Sequence, residues 1–151
     1  MNKCIKNYFS NGNIKEKIYY KDDARHKVTG PALILYYPGG QVEYELYYIN
    51  GEIHREKGPA EIWYFEDGKI GIEEYYKNNQ LHRENRPAII SYFEDGKIYS
   101  EEYWVDGLLH RLDGPAMIRY DEDGKKVEES YHIKGEEYKD IFQYLVVAGS
   151  C

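Results

Sequence analysis

The stretch from His54 to Gln80 is written again, with few changes, from His82 to Gly107. The step is 28 residues: His26, His54, His82 and His110 mark it, and Ala32, Ala60, Ala88 and Ala116 keep it. Almost the whole chain is this one unit repeated. A fixed period of this length signals an array in which each unit buries its apolar surface only against its neighbours. The period predicts an extended surface rather than a fold built around one catalytic pocket.

Each unit carries two turn signals. The first series is Asn11-Gly12, Gly39-Gly40, Asp67-Gly68, Asp95-Gly96 and Asp123-Gly124; the second is Asp22-Asp23, Asn50-Gly51, Asn78-Asn79, Asp106-Gly107 and Lys134-Gly135. Asn-Gly and Asp-Gly between alternating segments indicate two-residue hairpin loops, because both central residues of a type I′ turn need φ > 0. Between the turns lie runs of β-formers such as Ala60 to Phe65 and Ile70 to Lys77. A Gly-Pro step (Gly30-Pro31, Gly58-Pro59, Gly114-Pro115), replaced by Arg86-Pro87 in the third copy, marks a strand start or bulge, since proline has no ladder donor. The expected fold is an all-β antiparallel hairpin meander over residues 1–135. Residues 136–151 are expected to form a C-terminal cap: Tyr138, Ile141, Phe142, Leu145 and Val146 recur at helical spacing, predicting a short amphipathic helix over the last strand, with a further strand from Phe142 to Val147 as the alternative.

Two-residue loops set the register. Around Asp67-Gly68, Tyr64 then faces Gly71, Ile62 faces Glu73 and Ala60 faces Tyr75. Around Asn50-Gly51, Tyr47 faces His54, with Glu45 diagonal to it. On this side of the sheet the copies agree: Ile34, Ile62, Ile90 and Ile118 recur, as do Tyr36, Tyr64, Tyr92 and Tyr120, and Glu45, Glu73, Glu101 and Glu129. The opposite side varies: Leu35, Trp63, Ser91 and Arg119 share one position, and Leu46, Glu74, Glu102 and Ser130 another. Cross-strand pairs expected there are Glu74 with Arg83, Glu102 with Arg111, and Trp104 with Leu109. Residues identical in every copy are those that stacking requires. Residues that differ are free to recognise something.

Composition narrows the functions. A net charge of −7 and a pI near 5.3 disfavour direct nucleic-acid binding, which needs a basic surface to displace counterions. Eighteen tyrosines suit strands and also interfaces, where an apolar body with a polar tip is useful. Cys4 and Cys151 stand at opposite ends of an array, too far apart for a disulfide. With no apolar signal core, no Asn-x-Ser/Thr sequon and no bilayer-length apolar run, the expectation is a cytoplasmic protein without membrane attachment.

The pattern Tyr-Tyr-x-Asn-Gly-x-x-His-Arg-x-x-Gly-Pro-Ala-x-Ile-x-Tyr-Tyr/Phe-x-Asp-Gly-Lys resembles the MORN-repeat variants, and is similar to YwqK-type antitoxins and to His-Arg-x-Asp-Gly-Pro-Ala arrays of bacteria and large DNA viruses. Tyr47–Gly51, Tyr103–Gly107 and the His-Arg and Gly-Pro-Ala blocks carry the resemblance, which spans Tyr8 to Gly135. It implies a hairpin array acting as a binding or scaffolding module, with an antitoxin, immunity or inhibitor role. A toxin or a nucleic-acid-binding effector is then the expected protein partner. The alternative is a viral or phage anti-defence inhibitor, such as an anti-CRISPR, working in an infected host cell; its acidic surface would block a basic host protein.

Chemistry finds little support. Equivalent histidines two strands apart lie about 9.5 Å from each other at ~4.8 Å strand spacing, whereas ligands of one zinc ion all lie about 2.0–2.1 Å from the metal. Neither a metal nor a cofactor is expected. His26, His54, His82 and His110 instead predict a structural network with tyrosines and with Glu45, Glu73 and Glu101. Adjacent glutamates such as Glu73-Glu74 point to opposite faces and make no acid/base dyad. Ser91, Ser100 and Ser130 lack a recurrent His-Asp context. The chain reads as a non-enzyme. Arg55, Arg83 and Arg111 form a second ladder, expected to pair with glutamates. The candidate partner-binding set is the aromatic and acidic part of the variable face: Tyr48, Trp63, Phe65, Tyr76, Phe93, Trp104, Glu74 and Glu102.

Overall fold

Each copy of the repeat folds as a long hairpin, a short hairpin and a connector that ends in Pro-Ala. The computed structural model describes residues 2–149. The chain divides into two units at the Asn79–Gln80 step. Cys4 is exposed and free; Cys151, its expected non-partner, lies outside the described residues.

The first unit runs β1 (Asn2–Tyr8), β2 (Ile14–Lys21), β3 (Ala24–Arg25), β4 (Leu33–Tyr36), β5 (Val42–Leu46), β6 (Tyr48–Ile49), β7 (Glu52–Ile53), β8 (Glu61–Tyr64), β9 (Ile70–Glu74) and β10 (Tyr76–Lys77). Its sheet has the order β1-β2-β4-β5-β8-β9, with β3 on β2 and β6–β7 a separate ribbon. The second unit runs β11 (Gln80–Leu81), β12 (Ile89–Tyr92), β13 (Ile98–Glu102), β14 (Trp104–Val105), β15 (Leu108–Leu109), β16 (Met117–Tyr120), β17 (Lys126–Ile133), β18 (Glu136–Tyr138) and α1 (Ile141–Ala148). Its sheet has the order β12-β13-β16-β17-β18, with β14–β15 as the ribbon. The fold is an antiparallel meander of repeats with one short C-terminal helix, as the period predicts.

The two turn series differ. In the second series both central residues lie at positive φ, for example Asn50 at 51° and Gly51 at 86°, so these are type I′ turns as expected. In the first series only the glycine does, Gly68 at 85°. Phe65 N–H donates to the Lys69 carbonyl (2.9 Å), Gly68 N–H to the Phe65 carbonyl (2.9 Å), and Lys69 N–H to Asp67 Oδ1 (3.0 Å). That is a three-residue loop, a type I turn followed by a left-handed glycine. Asp-Gly suits both turns, and the aspartate's bond to the backbone two residues on favours this one. The register shifts between Trp63 and Tyr64, so Tyr64 faces Ile70 and not Gly71. The bulge absorbs the extra loop residue, and Ile62 faces Glu73 as expected.

The connector returns the chain to the sheet at alanine. Ala32, Ala60, Ala88 and Ala116 are all 0% exposed. Ala60 N–H donates to the Glu74 carbonyl (2.8 Å) and the Ala60 carbonyl accepts from Tyr47 N–H (2.8 Å). With each alanine fully covered, a larger side chain there would have to displace its neighbours.

At the C-terminal end the expected stripe faces the wrong way. Phe142, Leu145 and Val146 are 75%, 57% and 70% exposed, while Tyr144 is 1% exposed. The Tyr144 hydroxyl accepts from Gly114 N–H (3.0 Å) and lies 2.9 Å from the Gly114 carbonyl oxygen. Its ring packs against Tyr131 at 4.8 Å. The last connector presents backbone groups that need a polar tip, so tyrosine docks in preference to a purely apolar side chain. The first residues of the expected cap, Glu136–Tyr138, are a strand; the helix begins after Asp140, whose Oδ1 accepts Phe142 N–H (2.9 Å).

Candidate functional site

The recurrent face holds alternating rows of isoleucine and glutamate. In the first unit Ile34 pairs Glu45, which pairs Ile62, which pairs Glu73; in the second, Ile90 pairs Glu101, Glu101 pairs Ile118, and Ile118 pairs Glu129. The carboxylates are satisfied by tyrosine. Glu45 accepts from Tyr47 (3.3 Å) and Tyr64 (3.2 Å), Glu101 from Tyr120 (2.8 Å) and Glu129 from Tyr131 (3.0 Å). Burial first, and then the neighbouring carboxylate, hold Tyr47, Tyr64 and Tyr103 above the usual phenol range and push Tyr120 up to about 12.

Histidine is not part of this network, which corrects the His–Tyr–Glu expectation. His26 Nδ1 accepts the backbone N–H of Asn50 (2.9 Å), His54 that of Asn78 (3.3 Å), His82 that of Asp106 (3.2 Å) and His110 that of Lys134 (3.2 Å). Each imidazole caps the first residue of a type I′ turn 24 positions ahead. The turn leaves that N–H without a ladder partner, and the ring supplies the acceptor.

Arginine takes the place expected of histidine. Arg55 and Arg111 stand 3.9 Å from the ring centroids of Tyr47 and Tyr103. Arg55, Arg83 and Arg111 donate to the carbonyls of Pro59, Pro87 and Pro115 at 2.9, 3.0 and 3.3 Å. The ladder therefore staples each connector. The expected Glu102–Arg111 pair does not form: Arg111 Nε donates to Asp113 (2.7 Å), holding that carboxyl below its ordinary value, and Glu102 accepts from the Trp104 indole (3.0 Å). The chain leaves the main sheet at Tyr103, whose N–H goes to the Ala116 carbonyl, so Glu102 and Arg111 no longer face each other. Trp104 does face Leu109, as expected.

The variable face divides with the units. In the first, Trp63 is 38% exposed, its ring lies 4.4 Å from that of Tyr44, and its indole donates to Glu61 (3.2 Å). The Tyr76 hydroxyl donates to Glu74 (2.8 Å), and Arg25 donates to the Tyr48 hydroxyl (3.2 Å). Phe65 covers Gly71, where an added Cβ would lie 3.3 Å from the ring. In the second unit Phe93 packs edge-on to Tyr99 (5.2 Å). These aromatics are half-exposed and each leans on a neighbour. Tyr44, buried under Trp63 and raised far above the usual phenol range by burial and then by Glu61, was missed by sequence reading; its alternation with Leu46 was the available signal.

Open grooves lie between connectors. One of about 500 Å³ includes Lys27, Tyr47, His54, Arg55 and Glu56; one of about 350 Å³ in the second unit includes Arg83, Glu84, Tyr103, Arg111 and Asp113. Among the described residues no group of three or more His, Cys, Asp or Glu could hold a metal ion. No helix among them is long and apolar enough to cross a membrane.

Stacked hairpins with one recurrent and one divergent face define a β-repeat array. The MORN repeat variant family matches residues 1–22, 33–50, 60–78 and 89–106, more than half of the chain, and the chain belongs to this family. Its repeats serve generally as protein- or membrane-binding modules and not as catalysts. No curated protein and no solved structure matches the chain.

Proposed function

We propose that this chain binds another protein through its variable face and acts as an antitoxin- or immunity-type inhibitor or as a scaffold. The observation that carries the reading is Trp63. It is a large ring left 38% exposed on a sheet strand, yet already held by the Tyr44 ring and the Glu61 carboxylate. A pre-ordered aromatic loses little freedom on binding and can anchor an interface. Tyr48, Phe65, Tyr76 and Glu74 extend that surface in the first unit, and Phe93, Trp104 and Glu102 supply its counterpart in the second.

Affinity capture with the Trp63→Ala and Trp104→Ala variants tests this. Loss of an anchoring tryptophan weakens partner binding by roughly 30-fold. Unchanged partner recovery from a folded double variant removes the face from consideration.

Charge favours a second reading. Residues 1–31 hold seven Lys/Arg against three Asp/Glu, so the acidic excess of the chain lies beyond them. Such a surface suits an anti-defence inhibitor that imitates nucleic acid before a basic host protein. This reading requires that RNA or DNA compete with the chain for its partner.

A further inference from the structure

The first copy of the repeat departs from the others in charge in both directions: it gains Asp22 and Asp23 where the second copy has Asn50-Gly51, and it lacks a carboxylate at two other positions. Lys17 stands where later copies have Glu45, Glu73, Glu101 and Glu129, and Val28 stands where they have Glu56, Glu84 and Leu112. In those later connectors an acid meets the local base: His54 Nε2 lies 2.9 Å from Glu56, and Arg111 Nε 2.7 Å from Asp113. The first connector, His26-Lys27-Val28-Thr29, contains no acid.

A groove of about 500 Å³ lies where this connector meets the first hairpin. Asn2, Lys3, Tyr19, Lys21, Lys27 and Thr29 line it, and none of its lining residues is a carboxylate. Asp22 and Asp23 line a neighbouring hollow, which shares Asn2, Lys3 and Tyr20 with it. Lys27 Nζ sits 3.9 Å over the Tyr19 ring, and Lys17 Nζ 5.0 Å over that of Tyr36. Lys17 also stands directly opposite Lys6 across the β1–β2 pair. Like charges facing each other destabilise a sheet, and stacking does not require them here, because later copies place isoleucine and glutamate at these positions.

We propose that this groove binds a small phosphate-type anion, a phosphate or diphosphate ester. Lys21 and Lys27 supply point charges of the kind that hold phosphate, while the Tyr19 and Thr29 hydroxyls and the Asn2 amide supply neutral donors; the Lys3 side chain points to the opposite face of the β1–β2 pair. The volume falls within the roughly 300–1,000 Å³ of small-molecule sites. The site is independent of the tryptophan face.

Titration of the full chain with pyrophosphate, followed by calorimetry and amide shifts, tests the proposal. Saturable one-to-one binding that weakens with salt is expected, with shifts confined to residues 2–4, 17–21 and 26–29. The Lys17→Glu/Val28→Glu variant writes the second copy's residues into the first; it should bind at least about tenfold more weakly while melting no lower than the parent. If the double variant fails to fold, Val28→Glu alone, placed outside the strands, makes the same comparison. Absence of saturable binding by the parent chain, shifts spread over lysines elsewhere, or unchanged affinity in a folded variant overturns the proposal.

Discussion

In the second copy of the repeat, Glu45 accepts from Tyr47 and Tyr64, and the Arg55 cation lies over Tyr47. In the first copy, Lys17 and Lys27 occupy the corresponding positions, each over a tyrosine ring. The backbone is the same in both: His26 N–H donates to the Tyr19 carbonyl at 3.1 Å, and His54 N–H to the Tyr47 carbonyl at 3.1 Å. Tyrosine makes the exchange tolerable. Its hydroxyl donates to a carboxylate, while its ring face and oxygen lone pairs receive an ammonium. The scaffold thus rests on tyrosine, alanine and the turns, and the sign of the charge on the recurrent face is free to change.

The largest effect should come from breaking what the copies share. Ala32→Val and Ala60→Val each force branched bulk into a site of 0% exposure, at a cost of about 1–3 kcal/mol. Chemical denaturation of the two variants checks it. Equal losses mean that the alanine site is one packing unit repeated; a much smaller loss for Ala32→Val would show a looser first copy.

The charged pair should separate the copies. Glu45→Ala leaves two half-buried hydroxyls without their acceptor and costs about 1–3 kcal/mol. Lys17→Ala removes a partly exposed cation–π contact worth about 0.5–1 kcal/mol, so its loss should be the smaller. The tyrosines add an alkaline limb. Tyr64 and Tyr120 have phenols raised in the folded chain, Tyr120 from 10.0 to about 12, so the fold favours their protonated form. Their stabilisation is complete below the unfolded value and is lost as pH rises through the folded one, between about 10 and 12 for Tyr120. Glu45→Ala brings Tyr64 nearer its ordinary value and shrinks its share of that loss. Denaturation midpoints measured across that range test both statements.

The same comparison shows what was legible in the sequence. The period, the type I′ turns and the division into agreeing and disagreeing faces were readable, because all three rest on dipeptides and on alternation along strands. The histidine role was not: His54 reaches the N–H of Asn78, in the next type I′ turn, a partner that no strand register names. Nor was the Arg111 staple, since the strand is interrupted at Tyr103 and pairing beyond that point no longer follows from counting. The helix stripe misled because spacing identifies a face without saying which way it points; Tyr144 wins the inner position by satisfying Gly114.

Lys17→Glu should have the smallest effect on stability, within about 0.5 kcal/mol of the parent. The substitution restores the residue of every later copy and removes the Lys6–Lys17 opposition, both of which favour the fold. It also loses the contact with Tyr36 that holds Lys17 above its ordinary value, although the lysine is only partly buried and the contact adds little. A glutamate at position 17 can take the Tyr19 and Tyr36 hydroxyls as Glu45 takes those of Tyr47 and Tyr64. Thermal melts of parent and variant at two salt concentrations separate these contributions. A stabilised variant whose advantage fades in high salt means that lysine is retained at position 17 against the interest of the fold. A clearly destabilised one means instead that the first copy has repacked around its lysine, and that the two copies are less alike than their shared backbone bonds indicate.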